Sequence, residues 1–517
     1  MPHDKGWRKS RAKTADNLMT EDQPFSFRLQ TNADLLKEIF YYPTNLALKV
    51  RNLYIPLLDR EGMVFYWEDS VDTQTIEAHI VGPLLQTKEI AMDSGDIATL
   101  LTKHVLTAAS SKKISFIQEA IDELINGNTV LFTEGYAHAL SISTTSFEGR
   151  TISLPTVENA VKGPKEAFIE SASVNRSLIR KHVREHDLIC ELITVGERAP
   201  KQVSMMYLHS IADSELIEGV KKRIMDIDTD TIMNLSMLEQ HLEERPYSLF
   251  PSILATERPD RAASFMYEGH IVLIMDNSPL ALIVPVTFWA LFQTGEDWYL
   301  RWAYGNFIRL IRLISVFVAL FTPSLYIAAV TFHVEMIPPD LMLAIAATRE
   351  RVPFPTLVEV LIMEVSFEIL REAGIRIPSV IGPTIGILGA LILGQAAVQA
   401  NIVSPILVVI VAITGLSSFA IPEISFNFGI RILRFLMLFV AFFTGFFGIG
   451  LLSTFLVAYM VSLKSFGVPF LSPMAPFQPS AKDLLYRPIL RDRLLRPFYA
   501  SPQDQVRQKK TERKSSR

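Results

Sequence analysis

The chain has 517 residues, of which 49% are hydrophobic and 20% charged, with a formal net charge of −4. That balance leaves no electrostatic footprint for nucleic acid, and the one cysteine, Cys190, excludes an intramolecular disulfide framework. Charges are dense and mixed up to about Arg301, then retreat after Leu313 into short islands between apolar runs, which predicts an α/β cytoplasmic region of two subdomains followed by an α-helical polytopic membrane domain.

Residues 1–30 are polar and basic and are expected to be disordered. No apolar core follows their basic residues, so they do not read as a secretory signal, and the polar half is expected to stay cytoplasmic. Residues 31–150 are expected to form the first α/β subdomain. Helical periodicity falls on 97–109 and 114–125. Asn126, Gly127 and Asn128 then turn the chain into a strand over 129–133. Glu134 and Gly135 send it back through 137–143, which is a hairpin pattern.

Residues 151–300 are expected to form the second α/β subdomain. Strands are predicted over 188–195 and 202–208. An amphipathic helix is predicted over 213–227 with Asp213 as its N-cap, and a short helix over 238–244. The stretch 269–288 is apolar enough to suggest a membrane span, but Asp276, Asn277, Ser278 and Pro279 at its centre are turn residues. It reads as a buried hairpin with arms over 271–275 and 280–284. The two hairpins echo each other. Gly127, Val130, Leu131, Glu134, Ala139 and Leu140 match Gly269, Val272, Leu273, Asp276, Ala281 and Leu282 at constant offset, the mark of two related units or of a chance likeness.

Residues 301–465 are expected to hold about five spans. Trp298, Tyr299 and Trp302 suit a membrane–water interface, and Arg301, Arg309 and Arg312 would hold the start of a first span, 313–332, on the cytoplasmic side. Pro323 should kink it. A polar loop is expected over 347–355 and a mixed helix over 355–373. No charge occurs over 377–422, room for spans at 383–399 and 402–421. Arg431 and Arg434 precede a run over 435–463 that is long for one span. If 355–373 crosses, Arg371, Arg376, Arg431 and Arg434 fall inside, and the basic tail joins them only if 435–463 crosses twice; if 355–373 is re-entrant, four spans put both ends inside but leave Arg431 and Arg434 outside. Residues 466–517 are expected to be a cytoplasmic tail, disordered from about Ser501.

Glu364, Glu368 and Glu372 recur every fourth residue with Arg371 beside them, on one helical face, while Glu359 points away. Acids at membrane depth mark an ion path or a paired site; the alternative is an interfacial helix with its acids in water. Gly382, Gly386, Ala390 and Gly394 also recur every fourth residue. Such a stripe serves close helix packing, either within one subunit or around a pore, with Gln395 near its end. The chain has no P-loop, no G-x-G-x-x-G and no G-x-S-x-G, and its histidines show no metal spacing beyond the pair His182 and His186. No enzyme activity, cofactor or metal is expected. A transporter subunit and a membrane-anchored signalling scaffold compete with a channel on these features.

Several motifs occur together: GPKEAFIE at 163–170, TERPDR at 256–261, SPLALIVPVTF at 278–288, RERVPFP at 349–355, MEVSFEILREAGIRIP at 363–378, IGILGALILGQAAVQANIVSP at 385–405 and SFGVPFLSP at 465–473. Over 163–473 the chain resembles the A subunits of GerA-type spore germinant receptors. Glu257, Arg258, Pro259 and Asp260 lie in the charged turn of that signature, which read alone is a solvated loop. The resemblance implies a cytoplasmic region of two α/β subdomains, a membrane domain, and action with a transporter-like, nutrient-binding B subunit and a lipoprotein C subunit. It also implies self-association into a nutrient-gated cation channel in the spore inner membrane.

Overall fold

The computed structural model describes residues 23–87, 96–107, 110–145, 155, 158, 160–376, 382–478 and 486–508. The first unit comprises α1 (Leu29–Ile39), β1 (Leu48–Ile55), β2 (Arg60–Trp67), β3 (Ser111–Ile114), α2 (Ile117–Ile125), β4 (Thr129–Thr133) and β5 (Ala139–Ile142). Its strands form one antiparallel sheet in the order β1-β2-β4-β5-β3.

The second unit comprises α3 (Ala172–His182), β6 (Leu188–Val195), β7 (Lys201–Leu208), α4 (Ser214–Met225), α5 (Leu235–Leu242), β8 (Leu254–Thr256), α6 (Pro259–Met266), β9 (Ile271–Met275) and β10 (Ala281–Val284). Its strand order, β6-β7-β9-β10-β8, repeats that of the first unit. So does its register: Leu131 pairs with Leu140, and Leu273 with Leu282.

The repeat extends to the polar contacts. Glu134, in the turn of the first hairpin, accepts a hydrogen bond from the Leu29 amide at 2.7 Å, and Asp276 accepts one from the Ala172 amide at 2.8 Å. Each carboxylate meets the unpaired amides and positive dipole end of a helix N-terminus. Buried Asn32 and Asn175 then bridge back to the backbone of Ser26 and Ile169, six residues earlier in each case.

Two local expectations change. Of 97–109, Ile97–Leu100 is α-helical and Leu101–Val105 a π turn. The helix expected over 114–125 starts at Ile117, because Ser111–Ile114 pairs with β5 as an edge strand. Ladder hydrogen bonds and the burial of Ile114 override the local helical period there.

The second half comprises α7 (Trp302–Phe332), α8 (Pro339–Arg349), α9 (Thr356–Arg376), α10 (Gly382–Gln399), α11 (Pro405–Phe419) and α12 (Ile424–Ser462). Helix α7 runs unbroken through Pro323. Among the described residues, α7 and α12 are long and apolar enough to cross a membrane by length and composition, and α11 is a shorter apolar helix.

Helix α12 is two antiparallel arms. At Gly445 the backbone takes φ 62° and ψ −145°, open essentially to glycine alone, and a side chain there would meet Phe332 at 3.2 Å. Phe250 of the second unit packs against Phe426 at 6.2 Å and Tyr459 at 6.3 Å, one from each arm. The opposite end, near Gly445, meets the end of α7, where His333 stacks on Phe446 at 4.8 Å. At the start of the outgoing arm, Gly429 lies so close to the Leu249 carbonyl that a Cβ would stand 2.1 Å from it.

Helix directions follow from these contacts. The Ser404 amide, before α11, donates to Glu359 near the start of α9 at 2.6 Å, while Arg371 near the end of α9 reaches Ser418 near the end of α11. Both helices therefore return toward the α/β units, and α10 leads away between them. Counting both arms of α12, the described residues make six passes (α7, α9, α10, α11 and two), and both ends of the helical half face the α/β units.

The tail folds back onto the second unit. The Phe470 carbonyl accepts from the Phe288 amide at 2.8 Å, and the Gln503 amide donates to the Ile211 carbonyl at 2.8 Å. Residues 501–508 are thus anchored rather than disordered. Glu268 binds Arg507 at 3.2 Å and also Arg493, and Arg496 binds Asp504 at 2.7 Å.

Candidate functional site

The TERPDR segment does not form a solvated loop. Pro259 opens α6, where its missing amide costs nothing. Arg258 and Arg261 are buried at 2% and 5% exposure. Arg258 grips Asp260 with two hydrogen bonds, 3.1 and 2.8 Å, in fork geometry. The Tyr299 hydroxyl donates to the same carboxylate at 2.7 Å. Burial disfavours the charge on Asp260, but Arg258 and Tyr299 outweigh it and hold the carboxyl below its usual range. Arg261 donates to Glu158 at 2.9 Å and to the Gln293 carbonyl at 2.8 Å. The Glu257 carbonyl accepts from the Phe168 amide at 2.8 Å. Solvation was expected because the segment is locally polar; its partners lie far away along the sequence.

The same motif thereby holds the connector between Gln293 and Tyr299 that hands the chain to α7. Within the connector, Asp297 is fully buried and binds Arg309 at 2.9 Å and Arg312 at 2.8 Å, both on α7. Arg487 of the tail donates to the Asp297 carbonyl. The Trp298 ring lies under Arg493 at 4.4 Å, Arg487 at 5.2 Å and Arg309 at 5.7 Å. The TERPDR segment, connector, first long helix and tail thus meet in one charged junction.

A second charged site lies between α9 and α12. Arg434 stands 3.1 Å from Glu364 and 2.9 Å from Glu368, with Glu364 1% exposed and Arg434 0%. Arg431 donates to Glu368 through Nε at 3.0 Å and also through a terminal guanidinium nitrogen. Arg371 lies 3.9 Å from Glu368 and stacks on Phe419 at 4.6 Å. Two carboxylates and three guanidinium groups share this buried space, so removing either carboxylate leaves buried positive charge uncompensated.

The predicted site residues are placed as follows. Glu364 and Glu368 join this network. Glu372 is exposed and pairs with Arg376 at 2.7 Å. Glu359, on the other face as expected, is fully buried. Gly394 is buried, with the position of a Cβ 3.5 Å from Val408 of α11, and Gln395 is exposed. Gly382, Gly386 and Ala390 lie in α10, and their surroundings are outside the described residues. His182 faces Glu166 at 3.6 Å. Glu185, His186 and Asp187 offer ligand atoms within 4.8 Å of one another, but Asp187 already accepts from the Ser210 amide at 3.0 Å. Arg431 and Arg434 were not foreseen as partners of the acids; the available signal was their three-residue spacing, which puts both on one helical face as the four-residue spacing does for Glu364 and Glu368.

The chain matches the family described as Bacillus/Clostridium GerA spore germination protein over residues 34–499. It belongs to the GerA family. It is 40% identical over 452 residues to spore germination protein KA of Bacillus subtilis, covering 87% of this chain and 82% of that protein. It is 39% identical over 427 residues to the uncharacterized membrane protein YfkQ of the same organism, covering 82% and 83%. Among solved structures, the N-terminal domain of the A subunit of the Bacillus megaterium spore germinant receptor GerK3 aligns with a TM-score of 0.41 and 25% identity, covering 52% of this chain and 98% of that one. The matched span, 34–499, takes in both the TERPDR segment and the connector it holds.

Proposed function

We propose that this chain is the A subunit of a spore germinant receptor and forms, by self-association, a nutrient-gated cation channel in the spore inner membrane. The observation that carries the reading is the GerA-family match across residues 34–499, which takes in both the α/β units and the helical half. In this reading the six passes cross the bilayer and leave the α/β units and tail in the cytoplasm. A transporter-like B subunit binds the nutrient, and a lipoprotein C subunit completes the receptor.

The cation path is proposed to run beside α9 and α10. Glu364 and Glu368 supply its negative charge, and Arg431 and Arg434 neutralise that charge at rest. Glu372, exposed near the end of α9, serves as an acidic residue at the cytoplasmic mouth. Gly382, Gly386 and Ala390 let α10 approach its symmetry copies. Gly394 packs within the chain, against Val408, so subunit contact falls to the earlier part of the stripe. The junction is the transmission: nutrient binding in the partner shifts the α/β units, and Asp297 pulls on α7 through Arg309 and Arg312.

Deleting the chain from a spore-former and measuring release of monovalent cations after nutrient addition tests the reading. Loss of nutrient-triggered release, restored by the wild-type chain, is expected. Normal release toward every nutrient that triggers the parent strain would contradict it.

A further inference from the structure

A cavity of about 490 Å³ lies where the second unit, α7 and both arms of α12 meet. Phe250 and Trp289 close it from the unit, Leu320 from α7, Leu433 and Leu456 from the two arms. Its size is that of a ligand site, but its chemistry is not that of a site for a polar ligand, which needs a few converging polar groups. The one hydroxyl in the helical wall, Ser453, is donated to the Ile449 carbonyl at 2.6 Å. Nothing there would orient a nutrient or an ion, and water would find too few partners to occupy it.

The rim shows where an occupant enters. Phe317, Val457 and Met474 line the cavity and are 56%, 57% and 53% exposed. The neighbouring outer surface of α12 continues with Phe447 at 76% and Phe455 at 66% exposure. The cavity therefore opens onto apolar surface on the two helices long enough to cross a bilayer, the surface that hydrocarbon covers in a membrane.

From this we infer that the cavity holds the acyl chain of a bilayer phospholipid, wedged between the α/β unit and the hairpin of α12. The inference rests on the membrane reading above. Leu433 in its wall precedes Arg434 of the buried ion-pair network, so the chain would brace the arm that carries Arg434. Removing or lengthening the lipid would then change how firmly that network is held.

Trp289 is a built-in probe. The full chain is reconstituted in phosphatidylcholine vesicles whose acyl chains are brominated near mid-chain, and tryptophan quenching is compared with Trp289→Phe. A quenched component that Trp289→Phe removes, and that Ser453→Phe reduces at least twofold by filling the cavity, is expected. Ala475→Phe, which fills it from the tail, serves if Ser453→Phe does not fold. A second arm adds a brominated fatty acid to unbrominated vesicles, so that quenching there alone would overturn the phospholipid as source. Quenching of Trp289 that neither filling variant reduces, or none at all in the wild type, overturns the site. Flotation of the chain with the vesicles tests the membrane reading separately, so a chain that floats without quenching of Trp289 refutes the cavity and not the embedding.

Discussion

Arg434 and Glu364 face each other at 3.1 Å with both side chains 1% exposed, one from each of two helices that the sequence separates by 70 residues (434 − 364). Their neighbours Arg431, Glu368 and Arg371 make the site a cluster rather than a pair. Burying charge costs several kcal/mol per ion before pairing returns it. A cluster that also leaves polar atoms of Glu364 and Arg371 without hydrogen-bond partners is an expensive way to hold two helices together, and better suited to a joint that can open.

Arg434→Ala should destabilise the helical half by about 3–5 kcal/mol, because it leaves Glu364 buried without its main partner. Glu364→Leu combined with Arg434→Met should recover most of that loss, since a packed apolar pair avoids the desolvation cost. Thermal unfolding of the chain in detergent measures both. A double variant as unstable as the single one would show that the pair is not what the arginine serves.

Asp297→Asn tests the junction. It keeps the shape of the side chain but leaves Arg309 and Arg312 without their counter-charge in a buried place, at a cost of about 3 kcal/mol. The expected signature is local: limited proteolysis should cut near the connector, 293–301, before the α/β units open. Unchanged protease resistance would mean that the tail arginines and the Trp298 ring suffice to hold α7.

Much of the fold was legible in the sequence, and the limits were physical. The hairpin at 271–284 was readable because Asp276 and Asn277 are turn residues between two β-rich arms, and its echo of 129–142 reflected equal register in two sheets. Edge strand β3 was not readable, because the lysines Lys112 and Lys113 carry no strand pattern and only pairing with β5 makes them extended. The TERPDR segment was recognised as a signature but not as a buried clamp. Nothing local in a charged turn says that Tyr299 and Gln293 will close over it. The acids of α9 were found by their spacing. Their partners were not, because ion pairing between helices depends on which faces meet, and periodicity of one helix does not contain that.

The crossing by α7 predicts a specific labelling pattern. Met336, beyond the end of α7, is 69% exposed, and Tyr247, on the α/β side, is 98% exposed. In membrane vesicles of known orientation, Met336→Cys and Tyr247→Cys should react with an impermeant thiol reagent from opposite sides. Cys190 is buried and serves as the unreactive background. Labelling of both from one side would contradict the crossing by α7, the first of the six passes.

Channel activity is read out in monovalent cation flux through the reconstituted receptor, this chain together with its B and C partners, before and after nutrient is added. A nutrient-gated channel gives flux that appears with nutrient, reduced at least fivefold in Glu364→Gln receptors that assemble to the wild-type extent. Assembled receptor that passes no more cation than empty vesicles, with nutrient present, would contradict it.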